Sequence, residues 1–186
     1  VTPLKKAEQR LNESNKKYLE LSRQLEKLVN YDALTGLPNR RLLIEKIDSA
    51  IIDYEVSGKT FALVFADIDR FKGVNDIYGH DIGDKLLQRV AEIFKSCVRS
   101  KDLVTRVGGD EFILFLYTND EFNPDELGDR IRTAFGEPII VDNCLCDIGI
   151  SLGISKCPQD GNNRDDLMRI ADNRMYLEKA TRTSHR

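Results

Sequence analysis

Residues 103–117 read Leu-Val-Thr-Arg-Val-Gly-Gly-Asp-Glu-Phe-Ile-Leu-Phe-Leu-Tyr, which is the pattern of a β-hairpin. Two largely apolar runs flank Gly108 and Gly109, and a pair of glycines between such runs is a strong local signal for a tight turn. Glycines let a bulky ligand approach the backbone, and their amide groups can face an anion such as phosphate. Asp110 and Glu111 then begin the second predicted strand. An ordinary solvated turn explains these residues equally well, so a second acidic site is needed to decide between the two interpretations.

A second acidic site follows the apolar run of residues 61–66, which has the composition of a strand buried on both faces. The run ends in Asp67-Ile68-Asp69. Because side chains alternate along a strand, Asp67 and Asp69 share one face and the Ile68 carbonyl is available as a further oxygen ligand. Hard cations such as Mg²⁺ take carboxylates together with substrate phosphates, and Asp67 and Asp110 suit that role. A helix N-cap is the alternative, more plausible for Asp69 than for Asp67.

Several motifs in a fixed order resemble one known family. They are Phe-Ala-Asp-Ile-Asp-Arg-Phe-Lys-Gly-Val-Asn-Asp at 65–76, Gly-His-Asp-Ile-Gly-Asp at 79–84 and Arg-Val-Gly-Gly-Asp-Glu-Phe at 106–112, with further agreement at 32–41, 151–155 and 171–179. Together they resemble the GGDEF domain of bacterial diguanylate cyclases across most of the chain. The resemblance implies an enzyme that condenses two GTP molecules into cyclic di-GMP and releases pyrophosphate. It also implies a central sheet like the palm of nucleotide cyclases and polymerases.

The resemblance implies a metal site and a catalytic set. Asp67, the Ile68 carbonyl and Asp110 would hold Mg²⁺, or Mn²⁺ as the alternative, against the triphosphate. Phosphoryl transfer mostly needs positioning and charge neutralisation, which such a metal supplies. Lys72 and Asp110 are the other expected catalytic contacts. Glu111 is expected in a supporting role, because the strand position after Asp110 points to the opposite face unless the turn twists it back.

The substrate-binding residues are also inferred from the resemblance, and each has a simpler structural interpretation. They are Asn75 and Asp84 for guanine, His80 for the pocket lining, Lys72 and Lys179 for phosphates, and Gly108 and Gly109 for the turn. A carboxylate and an amide oxygen suit the N–H donors of guanine. Without the family, Asn75 is better explained as a turn residue, Asp84 as a helix N-cap, His80 as a structural histidine and the lysines as solvated charges.

Two further features concern product binding and the C-terminus. Arg99-Ser-Lys-Asp102 stands at the position of the family's inhibitory Arg-x-x-Asp site, with Arg130 as a second contact from a neighbouring subunit. Arginine and aspartate can both pair with guanine, although a surface salt bridge is the alternative. The chain departs from the family pattern after Lys179, since Thr183 stands where an arginine is expected. Part of the phosphate contact is therefore missing or supplied by Arg182.

The N-terminal segment carries a heptad pattern, formed by Leu4, Ala7, Leu11, Ser14, Tyr18, Leu21, Leu25 and Leu28. Four heptads predict a parallel two-stranded coiled coil, with an amphipathic helix packed on its own domain as the alternative. A homodimer has a chemical reason, because two GTP-loaded half-sites facing each other would complete one active site. The expected organisation is a signalling helix at 1–30, the cyclase domain at 31–180 and a tail at 181–186. An upstream sensory domain is expected in the full-length protein.

Composition bounds the function classes. The net charge of −3 offers no basic field for nucleic acid, and no apolar stretch reaches the length of a membrane span. Residues 1–29 are charged throughout, which argues against a signal peptide, and a cytoplasmic protein is expected. The four cysteines show no pairing with histidines at zinc-ligand spacing, so reduced thiols are expected.

The predicted fold is α+β, with a mostly antiparallel central sheet flanked by helices. The hairpin supplies the antiparallel component. The predicted elements are helix 39–56, strand 61–68, helix 84–98, hairpin 103–117, helix 124–136, strand 147–155 and helix 163–180.

Overall fold

The computed structural model describes residues 2–118 and 123–184, without the side chains of residues 183 and 184. Helices and strands alternate irregularly along the chain. The helices are α1 (Pro3–Asn30), α2 (Arg40–Ser57), α3 (Phe71–Tyr78), α4 (His80–Cys97), α5 (Pro124–Ala134) and α6 (Arg164–Ser184). The strands are β1 (Phe61–Asp69), β2 (Leu103–Gly108), β3 (Glu111–Tyr117), β4 (Ile139–Val141), β5 (Cys144–Cys146) and β6 (Gly149–Cys157).

The main sheet has the strand order β2-β3-β1-β6, and its neighbouring strands are all antiparallel. Strand β1 lies inside the sheet and is buried on both faces, as its continuous apolar sequence predicts. One face packs on α4 and α5, and the opposite face packs on α2 and α6. The predicted α+β fold with a mostly antiparallel sheet is confirmed.

Three elements, α3, β4 and β5, are missing from the sequence-based prediction. Helix α3 and the first turn of α4 occupy residues that carry no long apolar period, and Gly79, at φ 85°, separates the two helices. The small β4-β5 sheet has strands of three residues each, too short for a periodic signal. Its turn residues Asp142 and Asn143 have positive φ, a property of tight hairpin turns. Helix α6 also continues to Ser184, beyond the predicted helix end at residue 180.

Helix α1 has no buried residue. Its seam leucines are exposed, with Leu21 and Leu25 at 55% and 54% and Leu28 at 75%. The alternative of an amphipathic helix packed along its own domain is therefore wrong. Among the described residues, no helix combines the length and the apolar character needed to cross a bilayer.

Candidate active site

Asp67 and Glu111 lie directly opposite each other on the neighbouring strands β1 and β3. Residues paired in this way project to the same face of a sheet. Glu111 therefore lies on the face of the acidic site, as expected if the turn brings it back. Strand β3 begins at Glu111 while Asp110 belongs to the turn, so strand alternation counted from Asp110 does not apply.

Asp67 is only 6% exposed, and Lys179 of α6 donates a hydrogen bond of 2.6 Å to its Oδ1. Burial raises the pKa of Asp67, and the charges of Asp110 and Asp69 raise it further, although Lys179 opposes this change. Burial lowers the pKa of Lys179, but the hydrogen bond to Asp67 and the surrounding carboxylates raise it above its ordinary value. Lys179, predicted as a phosphate contact, therefore lies within the acidic site itself.

Glu111 experiences the same local field. Its pKa is raised by burial and then by the charges of Asp67, Asp110 and Asp172. We call Asp67, Asp69, Asp110, Glu111 and Asp172 the acidic cluster. A bound cation would relieve the repulsion that helps to raise the pKa of Asp67 and of Glu111.

The acidic cluster offers a partial metal site. Within residues 2–118 and 123–184, no three His, Cys, Asp or Glu side chains converge closely enough to hold a metal by themselves. Magnesium is usually held by one or two carboxylates together with waters and substrate phosphates. The oxygen donors of Asp67 and Asp110 fit that kind of shared coordination. The Ile68 carbonyl lies between Asp67 and Asp69, and the Ile68 N–H donates to the Asp110 carbonyl at 3.2 Å.

Asp69 has a different set of partners. Its Oδ1 accepts a hydrogen bond of 2.7 Å from Ser151, and its Oδ2 lies 3.6 Å from Arg182 Nη1. The helix N-cap interpretation of Asp69 is wrong, because Arg70 occupies the N-cap position of α3.

A cavity of about 860 Å³ adjoins Asp69. Its basic lining residues are Arg70, Arg132, Lys179 and Arg182. Arg182 also pairs with Glu178 at 3.3 Å. The side chain of Thr183 lies outside the described residues, so the predicted departure at that position has no structural account.

Arg106 holds the Gly-Gly turn. Its Nε and Nη2 donate to the Gly109 carbonyl at 3.0 and 2.8 Å, and its Nη1 pairs with Asp32 at 3.0 Å. Gly109 has φ 49°, in the left-handed region that favours glycine. Sequence reasoning assigned no role to Arg106 or Asp32. Their opposite charges, within two motifs far apart in sequence, were the available signal.

Asn75, His80 and Asp84 lie on the helical pair α3 and α4. Asn75 is inside α3, His80 is the first residue of α4, and Asp84 follows one turn later on the same face. The turn interpretation of Asn75 and the N-cap interpretation of Asp84 are therefore both wrong. The Oδ1 of Asn75 is buried without a hydrogen-bond partner among the described residues. Lys72 is exposed in the first turn of α3.

Arg99 and Asp102 contact each other at the open end of the β2-β3 hairpin, opposite the Gly-Gly turn. The Asp102 carboxylate is fully buried and accepts from the backbone N–H, Nε and Nη2 of Arg99, each at 2.9 Å. Arg99 also donates to the Tyr117 carbonyl at 2.6 Å. Arg130 is exposed on α5, close enough to Cys97 for its charge to oppose the burial that raises the pKa of this thiol. Cys97 is the last residue of α4 and precedes Arg99 by two residues. Arg130 thus lies near the part of the chain that carries Arg99.

Comparison with known proteins decides the family. Residues 29–185 match the sequence profile described as "Diguanylate cyclase, GGDEF domain". The chain belongs to the GGDEF domain family. The predicted resemblance is therefore confirmed.

Curated relatives of this GGDEF domain are much longer proteins. MucR of Pseudomonas aeruginosa, a bifunctional diguanylate cyclase/cyclic di-GMP phosphodiesterase, is 39% identical over 85% of this chain and 23% of its own length. NbdA of the same organism, a cyclic di-GMP phosphodiesterase, is 33% identical over 95% of this chain and 23% of its own length. The chain thus spans about a quarter of these relatives.

Solved structures share the fold. The isolated GGDEF domain of YfiN from Pseudomonas aeruginosa superposes with a TM-score of 0.77 at 32% identity, covering 81% of this chain and 89% of that one. The coiled coil and GGDEF domain of DgcB from Caulobacter crescentus, in complex with c-di-GMP, gives a TM-score of 0.76 at 25% identity, covering 94% and 95%. The second match includes most of α1, so a long helix before a GGDEF domain has a structural precedent.

Proposed function

We propose that this GGDEF domain is a diguanylate cyclase, which condenses two GTP molecules into cyclic di-GMP and releases pyrophosphate. The observation that carries the proposal is the acidic cluster. Asp67 and Glu111 lie side by side on the neighbouring strands β1 and β3, and Asp110 lies beside them at the Gly-Gly turn. A site with this excess of negative charge favours a divalent cation and a polyphosphate that the cation can bridge.

Magnesium is the proposed cofactor, with Mn²⁺ as the alternative. Asp67, Asp110 and the Ile68 carbonyl would hold it, and when bound it would neutralise charge on the phosphates. Lys179 now neutralises Asp67, so the proposed metal would release the ammonium group for a phosphate oxygen. Glu111, which shares a face of the sheet with Asp67, would have a supporting role beside these metal ligands.

Substrate recognition would involve both helices beside the acidic cluster. Asn75 and Asp84 are the proposed guanine contacts, and His80 would line the pocket between them. Lys72, in the first turn of α3, would contact the phosphates together with Lys179. Gly108 and Gly109 carry no side chain that could obstruct the nucleotide. Arg182 lies at the basic cavity beyond Asp69, which suits the terminal phosphates.

The proposed enzyme works as a homodimer in the cytoplasm, where GTP is available. Each subunit would bring one GTP to the shared site. The exposed seam of α1 supports the coiled coil that would align the subunits. Since the relatives are longer proteins, an upstream sensory domain would act through α1.

Product feedback would use Arg99 and Asp102, with Arg130 contributed by a neighbouring subunit. Arg99 lies at the surface with a side-chain exposure of 30%, while Asp102 orients it from a buried position. A partly exposed guanidinium held in this orientation would be presented to the guanine or phosphate of the product.

A non-catalytic nucleotide receptor is the second candidate. It is favoured by the relative NbdA, whose name refers only to phosphodiesterase activity. In such a protein the domain would bind GTP or cyclic di-GMP and regulate an attached domain.

The first test is turnover of GTP with Mg²⁺ by the unmodified chain and by Asp110→Asn. The unmodified chain should form cyclic di-GMP and pyrophosphate at a specific rate that rises with protein concentration. Asp110→Asn should lose at least about 100-fold in rate, in line with the loss of one key electrostatic group, and should remain folded. Glu92→Gln, which alters an exposed ion pair with Arg89, is the matched control. Nucleotide binding without product would favour the receptor.

The feedback site is tested with added cyclic di-GMP in the same assay. Arg99→Ala should relieve inhibition, because it removes the guanidinium that would bind the product. Unfolding must be measured in parallel, since the buried Asp102 loses two side-chain hydrogen bonds in this variant. Unchanged inhibition would leave the Arg99–Asp102 pair as a structural salt bridge.

A further inference from the structure

Gly83 is a buried residue of α4, and side chains of α3 lie against it. Its N–H donates to the Gly79 carbonyl at 3.2 Å, and the Gly79 N–H donates to the Asn75 carbonyl at 2.9 Å. Consecutive backbone hydrogen bonds therefore join Asn75 to Gly83 through the break between the helices. The relative position of these two residues is set by the backbone.

Gly83 leaves the space that the Asn75 amide occupies. A Cβ atom added at Gly83 would overlap Asn75 Oδ1 and would lie 3.4 Å from Phe71 Cζ. Glycine inside a helix destabilises the helix by about 1 kcal/mol relative to alanine. A glycine at this position is explained by the amide that lies against it.

The Asn75 Oδ1 atom is also buried without a hydrogen-bond partner among the described residues. A buried acceptor left without a donor costs about 1–3 kcal/mol. The atom is covered where it lies against Gly83, so a ligand N–H recovers this cost once the amide turns its oxygen toward the nucleotide. Guanine carries N–H donors at N1 and at its 2-amino group, whereas adenine carries neither.

We propose that Gly83 is a specificity-determining position of the nucleotide site. It acts through Asn75, as a positioning residue: the absence of a side chain at 83 gives the Asn75 amide the space between α3 and α4 from which it turns its oxygen toward guanine. This inference rests on the proposed function. Simple helix packing at Gly83 predicts lower stability on substitution but no change in base preference.

The test measures GTP and ATP affinities by competition with a fluorescent GTP analogue, in Ca²⁺ to suppress turnover. The variants are Gly83→Ala, Asn75→Ala and their double variant. Gly73→Ala is the matched control, because Gly73 is a helical glycine of α3 with no atom within 4 Å of an added Cβ. Gly83→Ala should reduce the preference for GTP over ATP at least fivefold, to the level of Asn75→Ala. Gly73→Ala should keep the original preference.

The double variant separates positioning from packing. Once Asn75→Ala has removed the amide, Gly83→Ala should cause no further loss of preference and a smaller loss of thermal stability. Preference for GTP retained in Gly83→Ala, or additive losses in the double variant, would overturn the inference while leaving the proposed function intact. If Gly83→Ala does not fold, the double variant should still fold, and its failure would also overturn the inference. An unmodified chain that binds ATP as well as GTP would overturn the proposed function itself.

Discussion

Arg106 joins two distant parts of the chain at a single side chain. It donates to the Gly109 carbonyl next to Asp110, and it pairs with Asp32 in the segment that follows α1. Burial raises the pKa of Asp32, but hydrogen bonds from Thr35 and the Arg106 charge lower it overall. The stabilisation from this carboxylate is therefore fully present above its ordinary pKa of 3.8 and is lost as the pH falls through the lowered value.

Arg106→Gln is predicted to reduce catalysis more than substrate binding. The turn that carries Asp110 loses its support, so kcat should fall at least tenfold while KM changes little. Unfolding should require about 1–3 kcal/mol less, as expected for lost hydrogen bonds to a charged group. Arg106→Lys should restore part of the stability but not the forked contact. Steady-state kinetics and chemical denaturation check this, with Arg41→Gln at an exposed ion pair as the control. An unchanged kcat would contradict the positioning role.

At the scale of elements, the packing of α6 on β6 places Lys179 at the acidic cluster. The face of β6 under α6 is formed by small residues: Gly149, Ser151, Gly153 and Ser155. A Cβ atom at Gly153 would collide with the backbone of α6 at Ala171 and Met175. The helix thus lies with its backbone against the strand, and Lys179 follows one turn after Met175. This close packing explains why the motif Ser-Leu-Gly-Ile-Ser at 151–155 places small residues on the face of β6 that α6 covers.

Gly153→Ala is predicted to displace α6 and to weaken the site at a distance. The added methyl group has backbone atoms as neighbours, which cannot move aside as a flexible side chain could. Overpacking of this kind costs about 1–3 kcal/mol. Denaturation should show that loss, and KM for GTP should rise because Lys179 is drawn away from Asp67. Unchanged stability and KM would show that α6 tolerates the displacement.

At the scale of the whole molecule, the proposed homodimer would assemble through the exposed seam of α1. Its C-terminal half is the more apolar, since Leu21, Leu25 and Leu28 are core positions while Ala7 and Ser14 occupy them earlier. We expect the strongest coiled-coil contacts immediately before the domain. Asn39 also donates to the Val29 carbonyl at 2.7 Å, which connects the end of α1 to the start of α2.

Replacing Leu21 and Leu25 by asparagine is predicted to weaken the dimer and its activity together. Each leucine contributes about 1.5–3 kcal/mol when fully buried, so the dissociation constant should rise at least 100-fold. Sedimentation velocity measures this, alongside specific activity as a function of protein concentration. Leu19→Asn is the control, because Leu19 is 57% exposed and lies off the seam. Equal dimerisation in both variants would mean that another surface holds the copies together.

The sequence by itself determined the elements with strong local patterns. The continuous apolar run of β1, the Gly-Gly hairpin and the apolar period of α4 depend on residues close in the chain. The same holds for the placement of Asp67 near the end of β1 and of Asp110 at the Gly-Gly turn. Short elements such as α3 and the β4-β5 hairpin carry too few residues for such a pattern.

Only the tertiary structure decided which groups meet. The face of Glu111 follows from strand register, and Lys179 reaches Asp67 across 112 residues of sequence. Arg106 finds Asp32 across 74 residues, and the Asn75 amide fits against Gly83 only because α3 and α4 approach closely there. Periodicity and propensity describe neighbours along the chain, whereas register and helix packing depend on how distant segments bury their surfaces together.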